Sequence, residues 1–173
     1  RARRNSCRAV SDTWRMRRNV VALGAVAAVV GAWLFLVARQ VADGGFYSDD
    51  YGVQWDWAHD GYWGAVDTQF DALGSKPLLA FALPAPYTVF GSDPTGHHVL
   101  AAALVLATVV AFYFVLRGLR FAALDATAIA LLALLFPWAS GVRLWPAGSL
   151  NNLAVLLLFA GLLVALRGLR VAG

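Results

Sequence analysis

The chain has little charge, a single cysteine and no initial methionine. Charged residues make up 14% of its 173 residues, and Cys7 is the only cysteine. One thiol cannot form an intramolecular disulfide, so a disulfide framework is excluded. The only methionine is Met16. We therefore expect either a true start at Met16 or a fragment of a longer chain.

Long apolar runs dominate what is present. Hydrophobic residues make up 60% of the chain, whereas a soluble domain is usually about half apolar. Four runs of 17 to 19 residues contain at most one charge each: Val20–Ala38, Val99–Leu116, Phe121–Trp138 and Leu150–Leu166. As helices these runs extend roughly 25–28 Å, close to the thickness of a hydrocarbon core of about 30 Å. We predict an all-α membrane protein with about four transmembrane helices.

The arginines predict the orientation. If the N-terminus is cytoplasmic, 11 of the 14 basic residues lie inside, and only Arg39, Lys76 and Arg143 lie outside. This is the positive-inside pattern of a plasma-membrane protein, so the basic charge indicates lipid and not nucleic acid as the partner. The predicted order is a cytoplasmic basic tail (1–19), the first transmembrane helix (20–38), an extracytoplasmic loop (39–97) and transmembrane helices two to four (98–173).

The outer loop is long and rich in aromatic residues and aspartate. Gln40–Gly96 has 57 residues and no glutamate. Disordered segments are poor in aromatic residues, so we expect order here. Trp55–Phe70 is predicted to form one or two short juxtamembrane helices in the membrane interface, interrupted by Gly61 and Gly64. Leu78–Phe90 has only 13 residues and two prolines, so we expect it to return along the interface without crossing.

Two adjacent aspartates follow the first helix on the outer side. Asp49 and Asp50 suit a general base toward an acceptor hydroxyl, or ligands for a divalent cation that bridges a phosphate. The alternative is a solvated turn that caps the next helix, because aspartate is favoured there. The adjacent His97 and His98 point about 100° apart on a helix, so interfacial placement is expected rather than a shared metal ion.

Four further residues are candidates for substrate binding. Lys76 and Arg143 are the cations best placed to meet a lipid phosphate from outside, and an arginine can form a fork with phosphate oxygens. Trp55 and Trp57 could stack on a sugar ring. Anchoring in the membrane interface is the alternative for both tryptophans.

The layout resembles the N-terminal part of the GT-C membrane glycosyltransferases, particularly the protein-mannosyltransferase and aminoarabinose-transferase group. The resemblance lies in Ser48-Asp49-Asp50-Tyr51 soon after helix one, and in Gly74-Ser75-Lys76-Pro77-Leu78-Leu79 before the next membrane segment. Many members carry a histidine and a second proline in that segment, and this chain does not.

The resemblance implies transfer of a sugar from a polyprenyl-phosphate-linked donor to an acceptor at the extracytoplasmic surface. Asp49 or Asp50 would be the base, and Lys76 or Arg143 would bind the donor phosphate. It also implies a longer chain with more helices, and the abundance of Ala, Val, Leu, Arg and Gly favours a GC-rich bacterial genome.

The alternative is a non-enzymatic multi-pass membrane protein, either a structural subunit or a transporter fragment. Transporters place polar or ionisable groups near the middle of the membrane. Here Asp125, Asn151 and Asn152 all lie near the ends of the predicted helices. This counts against a charge-coupled transport pathway and leaves a structural subunit open.

Overall fold

The computed structural model describes residues 2–135 and 145–172, and within them all regular structure is helical. The helices are α1 (Ala2–Asp43), α2 (Ser48–Ala72), α3 (Pro77–Ala82), α4 (Ala85–Phe90), α5 (Pro94–Gly118), α6 (Ala123–Leu135), α7 (Pro146–Ser149) and α8 (Asn151–Ala172). The prediction of an all-α chain is confirmed for the described residues. Residues 2–19 belong to α1, and their cytoplasmic location stays a prediction.

Three stretches are long and apolar enough to cross a membrane. They are Leu23–Asp43 in α1, Pro94–Gly118 in α5, and Pro146–Leu169 across α7 and α8. The predicted helix over Phe121–Trp138 corresponds to α6, which has 13 described residues. Its last predicted residues, 136–138, lie outside the described part of the chain. The structure therefore supports a helical membrane protein with three spans, and the fourth span stays a prediction.

The membrane helices pack through small and β-branched side chains. α1, α5 and α6 share one core of buried residues: Ala25, Val29, Val105, Val109, Tyr113, Leu116, Ala126, Ala130 and Leu134. Alanine allows close approach of helix backbones, which is how helices associate in lipid. Two side-chain hydrogen bonds join the helices as well. The Trp33 indole donates to the Ala102 carbonyl at 2.8 Å, and the Thr108 hydroxyl donates to the Asn152 carbonyl at 3.1 Å.

The aromatic part of the outer segment is helical, with one break. α2 covers the predicted Trp55–Phe70 and begins earlier, at Ser48. Gly61 breaks the helix with φ 68° and ψ −173°, a conformation essentially reserved for glycine. Gly64 stays inside the helix, so only the first of the two predicted interruptions is present. The position of α2 at a membrane surface stays a prediction.

The proline-containing segment Leu78–Phe90 forms two short helices. α3 and α4 have six residues each, so each is only about 9 Å long and neither can cross a membrane. Pro84 lies between them. The break that the prolines predicted is confirmed, and the course of the segment along the interface stays a prediction.

A second hydrophobic core orders the outer segment. Val53 of α2, Leu83, Tyr87 of α4 and Leu150 form this cluster, which we call the outer core. Because Leu150 lies more than 60 residues after the other three, the cluster joins the outer helices to the start of α8. The two aspartates lie at this junction.

Candidate functional site

Asp50 is a buried carboxylate that joins two distant parts of the chain. Its side chain is 1% exposed. Oδ2 accepts from the Tyr47 amide at 3.0 Å, and Oδ1 accepts from the Ala147 amide at 2.9 Å. The first bond is a local helix cap, in line with the alternative that the sequence left open. The second bond reaches α7, 97 residues along the chain.

Tyr87 supplies a third contact to the same residue. Its hydroxyl donates to the Asp50 backbone carbonyl at 2.8 Å. The ring is 3% exposed and lies against Phe46 and His97, with centroids 5.8 and 4.2 Å away. Burial and the nearby Asp50 charge raise the pKa of Tyr87. The hydroxyl therefore keeps its proton and serves as a donor.

The surroundings of Asp50 do not favour its charged form. Burial raises the pKa of Asp50 above its usual value of 3.8, and the bonds from Tyr47 and Ala147 and the nearby His97 and His98 offset this only in part. Desolvation disfavours an ionised carboxylate unless its oxygens find donors. The two backbone amides supply those donors and leave the carboxylate facing inward.

Asp49 has the opposite environment, because its side chain is exposed. It lines an open cleft of about 420 Å³, which we call the acid cleft. The other walls come from α2, α3, α7, the start of α8 and residues next to them: Gly52, Val53, Gln69, Ala72, Leu73, Leu79, Leu83, Trp145, Ala147, Gly148 and Asn151. Of the two predicted acids, Asp49 is the one that this cleft presents to a ligand.

Lys76 lies beside a second opening. It is the N-cap residue of α3 and lines a groove of about 420 Å³, which we call the lysine groove. Most of the other groove residues are apolar, and they come from α3 and α8 and include Leu78, Leu153 and Leu157. Both openings include Leu79 and Asn151 in their walls. A carboxylate and an ammonium group therefore line adjoining clefts.

The two predicted tryptophans are not brought to either opening. Trp55 is 65% exposed and stacks on His59 with ring centroids 3.8 Å apart. Trp57 packs against the outer core, 6.1 Å from the Tyr87 ring. Neither tryptophan lines the acid cleft or the lysine groove. Arg143 lies outside the described residues, so its role stays a prediction.

The histidine pair anchors loops and does not converge on one point. His97 and His98 are buried, at 3% and 2% exposure. The Nε2 atom of His97 lies 3.0 Å from the Gly91 carbonyl, and that of His98 lies 3.0 Å from the Gly45 carbonyl. A carbonyl only accepts, so both Nε2 atoms carry the proton.

No group of three or more histidine, cysteine or aspartate side chains in the described ranges is arranged to hold a metal ion. The predicted cation site at Asp49 and Asp50 would have only Asp49 on the cleft wall. Asp50 directs its two oxygens to backbone amides.

Sequence reasoning missed the far wall of the site. Trp145, Ala147 and Asn151 line the acid cleft, and the indole N–H of Trp145 is buried without a hydrogen-bond partner in the part of the chain described. The role of Ala147 could not be recognised from its residue type, because the contact is made by its backbone amide. The only indication of this wall in the local sequence was Pro146, because proline is typical of the first turn of a helix. Trp145 and Asn151 lie on either side of it.

Comparisons of the chain with models of protein families, with curated proteins and with solved structures found no match. A functional conclusion therefore depends on the geometry of the two openings and on the segments Ser48–Tyr51 and Gly74–Leu79.

Proposed function

We propose that the protein is a glycosyltransferase that moves a sugar from a polyprenyl-phosphate-linked donor to an acceptor at the extracytoplasmic membrane surface. One observation carries this proposal. An exposed carboxylate, Asp49, and an exposed ammonium group, Lys76, line two adjoining openings, and the opening beside the lysine has apolar walls. Such a pair suits a substrate that combines a phosphate, a sugar and a hydrocarbon chain.

The lysine groove is the donor site in this proposal. The Lys76 ammonium group binds the donor phosphate, since ammonium groups pair with phosphate oxygens. The apolar walls, including Leu78, Leu153 and Leu157, contact the first isoprene units of the lipid. Because the lipid chain comes from the bilayer and not from water, these contacts orient the donor by packing and supply no hydrophobic driving force.

The acid cleft is the reaction site. The Asp49 carboxylate takes the proton of the acceptor hydroxyl while that oxygen attacks the anomeric carbon of the sugar. The bond between this carbon and the phosphate oxygen breaks, and the polyprenyl phosphate leaves with the electron pair. Lys76 balances the charge on the departing phosphate. No step requires Asp50 or a metal ion.

The membrane arrangement that we propose has four spans and a cytoplasmic N-terminus. Asp50 follows the first span and Ala147 precedes the last, yet they are hydrogen-bonded at 2.9 Å. Both would then lie at the same membrane face. In this arrangement α5 carries the chain to the opposite face, and the predicted span Phe121–Trp138 returns it.

Transfer activity tests the proposal. Membrane vesicles that contain the protein are supplied with radiolabelled polyprenyl-phosphate-linked sugars, and loss of label from the lipid is measured. We expect Asp49→Asn to lower the rate by about 10²–10⁴-fold, the usual contribution of a general base. Lys76→Ala should mainly raise the KM for the donor. Asp67→Asn is the matched control, because Asp67 is an exposed acid of the same helix and lines neither opening.

Two results would contradict the proposal. A rate for Asp49→Asn equal to that of Asp67→Asn would show that Asp49 is not the base. A wild-type protein that transfers sugar from none of the supplied donors would favour the non-enzymatic alternative.

A further inference from the structure

The neighbours Asp49 and Asp50 are chemically identical and structurally opposite. Asp49 is exposed in the acid cleft, whereas Asp50 is 1% exposed. A general base must come within about 3 Å of the proton that it removes, or act through one water. Asp50 cannot meet an acceptor in this arrangement, because both its oxygens face backbone amides.

Burial of a carboxylate costs free energy unless its oxygens are hydrogen-bonded. The hydrogen bonds of Asp50 therefore show which parts of the fold its burial holds together. One oxygen holds Tyr47 at the start of α2, the other holds Ala147 in α7, and the backbone carbonyl receives Tyr87 of α4. Three outer helices thus meet at one residue.

The contact with α7 matters for the acid cleft. Ala147, which Asp50 holds, lines the cleft together with Gly148 and Asn151. Asp49, the preceding residue in the chain, lines the same cleft from α2. The bond from Asp50 to Ala147 therefore sets the separation between the wall that carries Asp49 and the wall that carries Asn151.

We propose that Asp50 is a positioning residue, which fixes α7 against the start of α2 and thereby places the Asp49 carboxylate in the acid cleft. The kinetic part of this inference rests on the proposed function, whereas the structural part does not. A misplacement of about 1 Å can cost about 10²-fold in rate, so loss of the contact should reduce turnover without any loss of the base itself.

The structural part is tested by spin-label distances. Cysteines replace Gly52 and Asn151, which line the cleft from α2 and α8, in a variant with Cys7→Ser. A Cβ at Gly52 meets no atom within 4 Å, so its label fits. We expect a narrow distance distribution with native Asp50, a broader one in Asp50→Asn, and the broadest in Asp50→Ala. Asparagine keeps one acceptor oxygen, and alanine keeps none. Asp67→Asn should leave the distribution unchanged.

The kinetic part uses the native protein with the same substitutions. Asp50→Asn should lower kcat by about 10²-fold while the KM for the donor stays within about twofold, and Asp50→Ala should be slower still. The rates are expressed per folded protein, because partial unfolding would also lower the apparent kcat at an unchanged KM.

The possible results are distinguishable. An unchanged distance distribution in Asp50→Ala would overturn the proposal, whatever the activity. Lost activity with unchanged distances would assign Asp50 a direct chemical role and would also overturn it. Inactivity of the wild-type protein would refute the proposed function, and the distances would still decide whether Asp50 holds the two walls.

Discussion

Replacement of Tyr87 by phenylalanine removes one hydroxyl from the outer core and leaves the ring in place. The hydroxyl donates to the Asp50 carbonyl at 2.8 Å, and the ring contacts Phe46, Trp57 and His97. The two contributions can therefore be separated at one position by comparing Tyr87→Phe with Tyr87→Ala.

The expected magnitudes differ clearly. Loss of one intramolecular hydrogen bond typically lowers the free energy of unfolding by about 0.5–1.5 kcal/mol. Loss of a buried aromatic ring typically lowers it by about 3–5 kcal/mol. Because Tyr87 is 3% exposed, we expect its substitutions to fall within these ranges. Packing of the ring should then account for more than half of the stabilisation that the Tyr87 side chain provides.

The measurement is unfolding of the protein in detergent micelles by heat or denaturant, followed by tryptophan fluorescence. Trp57 lies 6.1 Å from the Tyr87 ring, so it reports on the outer core. Tyr47→Phe is the matched control, because its hydroxyl makes an exposed contact with Gln40 and should change stability by less than about 0.5 kcal/mol. Equal losses for Tyr87→Phe and Tyr87→Ala would refute the idea that the ring is the larger contributor.

Three other measurements have definite expectations. Gly61→Ala should lower the free energy of unfolding by about 1–3 kcal/mol, because φ at this position is 68°, in a region that alanine avoids. Gly52→Ala is the control in the same unfolding measurements. It should be neutral or stabilising, because the added Cβ meets open space. For Asp50, whose pKa burial raises above 3.8, the stabilisation is complete below that pH and is lost as pH rises through the raised pKa. The stability of the wild type relative to Asp50→Asn should therefore fall over that window and be constant above it. Ser75 and Asn151 are both exposed, so cysteines at these positions should react with a membrane-impermeant reagent that is added outside the cell. Reaction only from the cytoplasmic side would show that the orientation is the opposite of the predicted one.

The apolar helices could be predicted from the sequence because a lipid bilayer imposes a simple requirement on length and composition. A span needs about 20 apolar residues with internally paired backbone groups, and three of the four predicted runs meet this in the structure. The breaks at Pro84 and Gly61 were readable for a similar reason, since each follows from the backbone chemistry of one residue.

The division of roles between Asp49 and Asp50 could not be read in the same way. Successive residues on a helix point about 100° apart, so the two side chains could have different surroundings, but the local pattern does not say which of them faces inward. The answer depends on the Ala147 amide, which lies 97 residues away and has no side-chain signature. Trp55 and Trp57 were equivalent in the sequence for the same reason, and tertiary packing separates them.

The bond between Asp50 and Ala147 also has a consequence for biosynthesis. At about 5–20 residues per second, a ribosome needs roughly 5–20 s to add the residues between these two partners. Throughout that interval one of the two backbone donors of Asp50 has not yet been made. The far wall of the acid cleft, with Trp145 and Asn151, is also made after the wall that carries Asp49. The nascent chain therefore cannot complete the cleft until α7 has been synthesised.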